Sequence, residues 1–394
     1  MFPLTQNKSM SARPNWAEVS LSALQHNFQV VQQHVGLGTT ICAVVKCDAY
    51  GHGVVECSRA LEAAGATWFG VTSTEEGMKV RNAGVRGRVL VMTGFWRGEE
   101  EEIIRNGLTA TVWTLEHIQN LRAEAHRLRR RRVPVHLKVD TGMGRLGCGM
   151  EELDLICEAL KQAGALDAGG ELFVEGMFSH LASAEVLDAA DAREQLKNFQ
   201  HAIATLERHG IFPPYLHMAN SAAVVARPET WKNIVRPGLL LYGYSQEFAS
   251  YNGSAPLPRL PLIPVLSWKA RIIGLRNFAA NQRLGYSGAF VTKRPSKIAV
   301  IPVGYGDGLT RQLSNRGELI VRGEYAPIVG NVAMDLTLLD VTNIAGVELG
   351  DDVILIGTSG EKHVTAIEHA HWAQTIPYEI LCGLSPRVPR IYTE

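Results

Sequence analysis

The pattern that most restricts the fold of this chain is a series of eight short apolar runs, separated by longer segments with helical periodicity. The runs cover residues 41–45, 68–71, 89–92, 108–112, 133–139, 172–177, 216–218 and 234–235. Apolar strands that alternate with helices are typical of a parallel sheet covered on both faces. Eight such strands are the number that closes a (β/α)8 barrel, although an open doubly wound sheet would show the same alternation.

The amino-acid composition of the sequence changes after the last of these runs. Residues 245–264 are rich in Ser, Gly, Asn and Pro, which is typical of a linker. Beyond them, short runs with turn residues between predict an antiparallel β domain with one helix near residues 365–374. We therefore predict an α/β protein with a flexible tail over residues 1–12, a (β/α)8 barrel over residues 13–255 and a mainly β C-terminal domain over residues 256–394.

Composition and charge argue against several classes of protein. The chain has 39 basic and 39 acidic residues, so no net charge draws it to nucleic acid or to an acidic membrane. The basic run at residues 127–132 has no interleaved aromatic residues and is better explained as a solvated helix end. No apolar window approaches a transmembrane length, and the first residues lack the apolar core of a signal peptide. The six cysteines show no zinc-binding spacing, so we expect reduced thiols in a cytoplasmic protein without a metal.

Lys46 lies at the carboxyl end of the first apolar run, just before Gly51 and Gly53. A buried ammonium group is costly unless it is paired, neutral or covalently used. Lys46 is therefore a candidate Schiff-base lysine. The alternative is a lysine whose aliphatic stem lines the strand end while its charge reaches solvent.

Other candidate residues follow the first run and later ones, and in a barrel they would share the face that carries the active site. They are Tyr50 after the first run, Asp140 and Arg145 after the fifth, His180 after the sixth, Asn220 and Ser221 after the seventh, and Arg236 and Gly238 after the eighth. Residues 142–147 also satisfy the GxGxxG pattern of dinucleotide-binding proteins. They do not follow the first strand, and no acidic residue ends the next one, which disfavours that interpretation.

Taken in order, these segments resemble the alanine racemase family. The segment AVVKCDAYGHG at residues 43–53 resembles the family's pyridoxal 5'-phosphate (PLP) lysine motif. Further matches are DTGMGRLG at 140–147, FSH at 178–180, NSA at 220–222, RPGLLLYG at 236–243, GYSG at 285–288, GYGDG at 304–308, VAMD at 332–335 and IPYE at 376–379. The resemblance extends from about residue 13 over nearly the whole chain.

The resemblance implies a fold type III PLP enzyme that interconverts L- and D-alanine and supplies D-alanine for peptidoglycan. It also implies a homodimer in which Lys46 and Tyr286 of the partner subunit are the two acid–base groups. Two groups suit the reaction because racemisation removes a proton from one face of the α-carbon and returns one to the other face. The cofactor takes up the carbanion charge.

By the same resemblance, Arg236 faces the pyridine nitrogen, with His180 and Asn220 in the shell that holds it. The residues expected to bind the phosphate are Tyr50, Ser221, Gly238, Leu239 and Tyr378. The substrate carboxylate is expected to bind Arg145, because a guanidinium can form two parallel hydrogen bonds with a carboxylate, and the main-chain N–H of Met334.

Some features leave alternatives open. Lys138 occupies the position where some family members carry a carbamylated lysine, but it could equally be a strand-end lysine paired with Asp140. Leu284 and Leu336 depart from the common motifs without touching a proton-carrying group, so they bear on substrate detail.

Rival functions are a broad-specificity amino-acid racemase, a decarboxylase on the same scaffold and a non-catalytic PLP carrier. Arg236 argues against the decarboxylase, which uses an acidic partner for the pyridine nitrogen. The β domain argues against the carrier.

Overall fold

The computed structural model describes residues 13–249 and 257–394. The tail expected at residues 1–12 and the boundary expected near residue 255 lie outside these ranges. The described residues form two compact units. The barrel unit contains residues 23–49, 54–249 and 257–263, and the β unit contains residues 13–22, 50–53 and 264–394.

Strand β1 (Asn15–Ser20) belongs to the β unit, and the next eight strands build the barrel unit. These are β2 (Thr40–Val44), β3 (Trp68–Val71), β4 (Arg88–Val91), β5 (Thr109–Val112), β6 (Val133–Lys138), β7 (Leu172–Phe178), β8 (Tyr215–His217) and β9 (Ile234–Val235). Neighbouring strands pair in parallel in the order β8-β7-β6-β5-β4-β3-β2-β9.

Backbone hydrogen bonds link the two ends of this sheet. The N–H of Asn233 donates to Leu216 O at 3.4 Å, and the N–H of Arg236 donates to Ala219 O at 2.9 Å. The eight strands therefore form a nearly closed barrel, which confirms the (β/α)8 prediction over the open sheet. Each apolar run lies within one or two residues of an observed strand, because a strand buried on both faces must be apolar along its length.

One helix precedes the first barrel strand and others follow β2 to β8, and two of them begin with recognisable capping residues. They are α1 (Leu21–Val35), α2 (Val54–Ala63), α3 (Thr74–Asn82), α4 (Glu100–Arg105), α5 (Leu115–Arg127), α6 (Leu153–Gln162), α7 (Ala190–Arg208) and α8 (Ser221–Ala226). The Ser73 side chain caps α3 by accepting the N–H of Glu76, and Thr114 caps α5 by accepting that of His117. In α1, Leu24, Phe28 and Val31 recur on one face and are buried.

The β unit is mainly antiparallel, as predicted. Its further strands are β10 (Leu266–Arg271), β11 (Gly274–Phe278), β12 (Arg283–Leu284), β13 (Phe290–Val291), β14 (Ser296–Ile301), β15 (Glu318–Val321), β16 (Glu324–Pro327), β17 (Thr337–Asp340), β18 (Asp352–Ser359), β19 (Lys362–Val364) and β20 (Arg390–Thr393). The large sheet has the order β16-β15-β18-β10-β1-β20, with β19 on β18. Smaller sheets are β11-β14-β17 and β12-β13.

Some elements of the β unit differ from the sequence expectation. The expected helix near residues 365–374 is α9 (Ala366–Ala373), which begins with a capping box between Thr365 and Glu368. A second helix, α10 (Pro377–Cys382), was not predicted.

Strand β1 lies between β10 and β20, antiparallel to the first and parallel to the second. The first strand of the described chain thus lies in a sheet whose other strands all come after residue 265. Across residues 13–249 and 257–394, no helix is both long and apolar enough to cross a membrane.

Candidate active site

The polar residues predicted at strand ends lie at the carboxyl ends of the barrel strands. Lys138 is the last residue of β6, Arg236 directly follows β9, and Lys46 and His180 come two residues after β2 and β7. Because parallel strands of a barrel end on the same face, these side chains share that face.

Arg236 is held by a dense set of acceptors and is only 4% exposed. Its NH1 donates to His217 Nδ1 at 2.6 Å, and its NH2 donates to Ser179 O at 2.8 Å and to Met218 O at 2.9 Å. NH2 also lies 3.3 Å from His180 Nδ1. None of these four contacts involves Nε, so they fix the plane of the guanidinium while using its two terminal nitrogens.

Both histidines beside Arg236 are kept neutral. Burial, and then the charge of Arg236, hold the pKa of His180 and of His217 well below the usual value. Burial also lowers the pKa of Arg236, to about 10, which leaves it charged at neutral pH. The sequence did not single out His217, because nothing in its local pattern separates it from a core histidine.

We call Lys46, Lys138, Arg145 and Arg236 the cationic rim. Burial lowers the pKa of Lys138 to about 8, and the charges of Arg236, Arg145 and Lys46 act in the same direction. The charge of Asp140 raises the pKa of Lys138 but offsets these effects only in part. No ion pair within 4.0 Å joins Lys138 to Asp140 among the residues that the structure describes, so the expected alternative of that pair is not observed. The rim therefore favours an anionic ligand.

The carboxylate of Asp140 is occupied by its own loop. It accepts backbone N–H groups of the four residues that follow Thr141, Gly142 at 2.9 Å, Met143 at 2.9 Å, Gly144 at 3.2 Å and Arg145 at 3.1 Å. Burial alone would raise the pKa of Asp140, but these donors lower it below its usual range.

The glycines of the GxGxxG pattern serve this loop. A Cβ on Gly147, whose φ is +132°, would lie 2.4 Å from Asp140 N. The motif therefore shapes the segment that carries Arg145, and its glycines have a structural reason independent of a dinucleotide.

Lys46 begins an unusual backbone segment. Cys47, Asp48 and Ala49 have φ of 54°, 51° and 54°, in the left-handed region that residues with a Cβ rarely adopt. The N–H of Ala49 donates to Val45 O at 2.9 Å, and the N–H of Val54 donates to Asp48 Oδ1 at 2.9 Å. The segment is a left-handed turn directly after β2, and its residues give no sequence signal for such a turn.

Two of the predicted phosphate-binding residues of the barrel unit are in direct contact. The N–H of Gly238 donates to Ser221 Oγ at 2.9 Å, and Leu239 follows as the first residue of a 3-10 turn. Asn220 caps α8 by accepting the N–H of Ala223 at 3.0 Å. That hydrogen bond orients the start of the helix at Ser221. Of the two residues expected to hold Arg236, His180 is the one that contacts its guanidinium.

The remaining predicted residues belong to the β unit. Tyr286 lies in a 3-10 turn with its side chain 72% exposed, and Met334 is 54% exposed. Asn331 Nδ2 donates to Tyr286 O at 3.1 Å. The rings of Tyr50 and Tyr378 lie against each other with centroids 5.8 Å apart. The Tyr286 side chain is thus mostly exposed.

A buried carboxylate anchors the segment that contains Met334, and sequence reasoning gave it no role. Asp307, only 1% exposed, accepts both terminal nitrogens of Arg13 at 3.2 Å and Nε of Arg387 at 2.9 Å. Arg387 also binds Asp335, the residue after Met334. The GYGDG motif around Asp307 was the available signal, but its two arginine partners are distant in sequence.

Known proteins match this chain along its length. Models of the alanine racemase N-terminal and C-terminal domains match residues 19–246 and 265–392. An alanine racemase of Geobacter sulfurreducens is 41% identical over 387 residues, covering 97% of this chain and 98% of its own.

Solved structures agree with the sequence matches. The alanine racemase of the D-cycloserine producer Streptomyces lavendulae has a TM-score of 0.89 and 31% identity, with 98% of each chain covered. The alanine racemase of Bartonella henselae, solved with covalently bound pyridoxal phosphate, has a TM-score of 0.83 and 29% identity over 96% of this chain and 99% of that one. The chain therefore belongs to the alanine racemase family of PLP-dependent isomerases.

Proposed function

We propose that this protein interconverts L- and D-alanine with pyridoxal 5'-phosphate as its cofactor, as a cytoplasmic homodimer that supplies D-alanine for peptidoglycan. The cationic rim supports this most strongly. Its four cations are accompanied by Asp140, whose carboxylate is already bound by four backbone N–H groups. A phosphorylated cofactor and an amino-acid carboxylate would supply the missing negative charge.

The residues present fit the cofactor. Ser221 and Leu239 provide a hydroxyl and a backbone N–H group suited to a phosphate, and Gly238, Tyr50 and Tyr378 would be further phosphate ligands. Lys46 provides the amine for the covalent link. When bound, the cofactor disperses the negative charge that develops on the substrate α-carbon.

Arg236 would face the pyridine nitrogen of the cofactor. Since its pKa of about 10 keeps it charged at neutral pH, it donates a hydrogen bond without readily giving up a proton. A ring nitrogen that accepts from this guanidinium would stay unprotonated, which would limit how strongly the cofactor withdraws electrons. We expect this to favour return of the proton to the α-carbon over transamination.

Two groups would move the proton. Lys46 acts on one face of the α-carbon and Tyr286 of the partner subunit on the other. The exposure of the Tyr286 side chain supports its availability to a second copy of the chain. Arg145 and the main-chain N–H of Met334 would hold the substrate carboxylate, which keeps the α-carbon in place while the proton is exchanged.

Lys138 is a candidate for carbamylation. With a pKa of about 8, a sizeable fraction of its side chain is neutral amine near pH 7.5, the form that adds CO2 and releases one proton. The carbamate would place a negative charge beside Arg145, where an unmodified lysine repels it. Carbamylation would therefore orient the arginine that binds substrate.

The direct test is to incubate the protein with L-alanine and PLP and to measure D-alanine by chiral chromatography, with L-serine and L-lysine run in parallel. We expect D-alanine, and little product from the other two. The matched control is Lys46→Ala, which should form none. No D-alanine from the wild-type protein would refute the proposal, and equal turnover of all three amino acids would replace it with a broad-specificity racemase.

A further inference from the structure

A row of buried polar side chains connects Arg236 to the opposite end of the barrel strands. His217 Nε2 lies 2.9 Å from His136 Nδ1, and His136 Nε2 lies 3.9 Å from Glu175 Oε2. Glu175 Oε1 accepts Nε of Arg88 at 2.7 Å. Arg236 follows the carboxyl end of β9, whereas Arg88 is the first residue of β4. The row therefore passes through the core of the barrel unit.

The hydrogen atoms in this row can be assigned from donor and acceptor chemistry. A guanidinium cannot accept a hydrogen bond, so His217 Nδ1 is the acceptor and its proton is on Nε2. His217 Nε2 then donates to His136 Nδ1, which places the His136 proton on Nε2, facing Glu175. Every donor points away from Arg236 and toward the carboxylate.

Neither histidine carries a charge that would disturb this direction. Burial, and then the charges of Arg236 and Arg88, lower the pKa of His136 to about 3. The pKa of His217 is lowered by burial and by Arg236 as well. Both rings are fully buried and stay neutral at physiological pH.

The rings are confined by their neighbours. His217 stacks on Phe178 with centroids 4.8 Å apart and an interplanar angle of 3°. A Cβ on Gly176 would lie 2.5 Å from the His136 ring, so the glycine leaves room for that ring. His136 Nε2 is a buried atom without a hydrogen-bond partner within the described residues, and Glu175 is the acceptor it faces.

If this row only filled space in the core, it would be less favourable than apolar side chains. Apolar side chains of similar volume would fill a barrel core without the desolvation of a carboxylate and two imidazoles. A polar row is useful where it specifies one arrangement of a charged group, because reversing one ring would leave two donors or two acceptors facing each other.

We propose that His136 and Glu175 are positioning residues for Arg236. Glu175 selects the His136 ring with its proton on Nε2, and this ring selects the His217 ring with its acceptor toward Arg236. That acceptor holds the guanidinium in the orientation that leaves Nε–H for the cofactor ring. The functional part of this inference rests on the role proposed above for Arg236.

The test uses full-length holoenzyme labelled with 15N in its histidine rings, with His136 and His217 assigned by His136→Gln and His217→Gln. In the wild-type protein, two-bond proton–nitrogen spectra should show both Nδ1 atoms unprotonated. Glu175→Gln keeps the size of the side chain, but its amide can donate to His136 Nε2. We expect the proton of His136 to move to Nδ1, which disrupts its hydrogen bond with His217.

The matched control is Glu171→Gln, the same change just before β7, where the carboxylate pairs with Arg131 at 2.9 Å instead. For Glu175→Gln we expect kcat for racemisation to fall about tenfold, the loss of one charge-assisted hydrogen bond, with KM for alanine nearly unchanged. The ratio of transamination to racemisation should also change. Glu171→Gln should match the wild type in all three measurements.

Two results would overturn the inference: a wild-type His217 protonated on Nδ1, or a Glu175→Gln protein with wild-type tautomers and kinetics. The wild-type spectrum decides the direction of the row even if Glu175→Gln fails to fold. The tautomers are measured without turnover, so the two proposals are tested separately. An enzyme that did not racemise alanine would refute the proposed function, whereas the NMR spectrum alone would still test the positioning of Arg236.

Discussion

The carboxylate of Glu76 accepts the backbone N–H of Cys47 at 2.5 Å, one residue after Lys46. Its other oxygen accepts the N–H of Thr72 at 2.8 Å and the hydroxyl of Thr72 at 3.1 Å. One side chain in the first turn of α3 therefore ties the chain after β2 to the chain after β3. The hydrogen bond to Cys47 lies where the backbone is left-handed, a conformation that costs roughly 1–2 kcal/mol of conformational free energy per residue.

Glu76→Ala should loosen the turn beside Lys46. Because the N–H of Cys47 and Thr72 would lose their acceptor, we expect the free energy of unfolding to fall by about 1–3 kcal/mol and PLP to bind more weakly. Urea denaturation and PLP titration measure the two effects. The control is Glu75→Ala in the same helical turn, where the side chain is exposed. Equal effects of the two variants would remove the special role of Glu76.

Lys46 should carry the cofactor covalently. We expect the purified protein to be yellow, and borohydride to fix the cofactor to Lys46 by reducing the carbon–nitrogen double bond, as peptide mass spectrometry would detect. Lys46→Ala should bind PLP without borohydride-stable labelling. A wild-type protein that stays colourless after addition of PLP would contradict the assignment.

Tyr286→Phe should affect the two enantiomers unequally. The variant removes only the hydroxyl that exchanges the proton on one face, so deuterium exchange into the α-position should slow selectively from one enantiomer. General acid–base groups typically contribute about 10²–10⁴-fold, and we expect a loss in this range for that enantiomer. An equal, mild loss for both enantiomers would argue that Tyr286 carries no proton.

Mixed dimers test whether the site is shared between subunits. In a heterodimer of Lys46→Ala and Tyr286→Phe chains, one of the two sites would contain both a native Lys46 and a native Tyr286 of the partner subunit. Racemisation should therefore reappear when the two inactive proteins exchange subunits, which native mass spectrometry can verify. Demonstrated heterodimers with no activity would falsify the shared arrangement.

Lys138 should react with CO2 in a pH-dependent way. Its pKa is lowered to about 8, so at fixed CO2 pressure the fraction of neutral, reactive amine rises as the pH increases through that value. Labelled 13CO2 should give a carbamate carbon signal that grows over this range and is absent in Lys138→Gln. A signal that persists in the variant would place the modification elsewhere.

The sequence was sufficient for the features that depend on local pattern. The eight barrel strands were found because strands buried on both faces are apolar along their length, and α9 because Thr365 and Glu368 cap it locally. The strand ends then placed Lys46, Arg145, His180 and Arg236 on one face, because a barrel brings the ends of its parallel strands together.

Contacts between distant residues were decided only by the tertiary structure. The pattern of β1 shows a strand but not that its partners are β10 and β20. Nothing near Glu76 indicates that it accepts the N–H of Cys47, and nothing near His136 indicates that its ring faces His217. Hydrogen-bond partners are selected by the packing of separate strands, whereas periodicity records only which side of an element is buried. The sequence by itself therefore determined the barrel and the β domain and predicted the reactive residues, and the tertiary structure determined which contacts hold those residues in place.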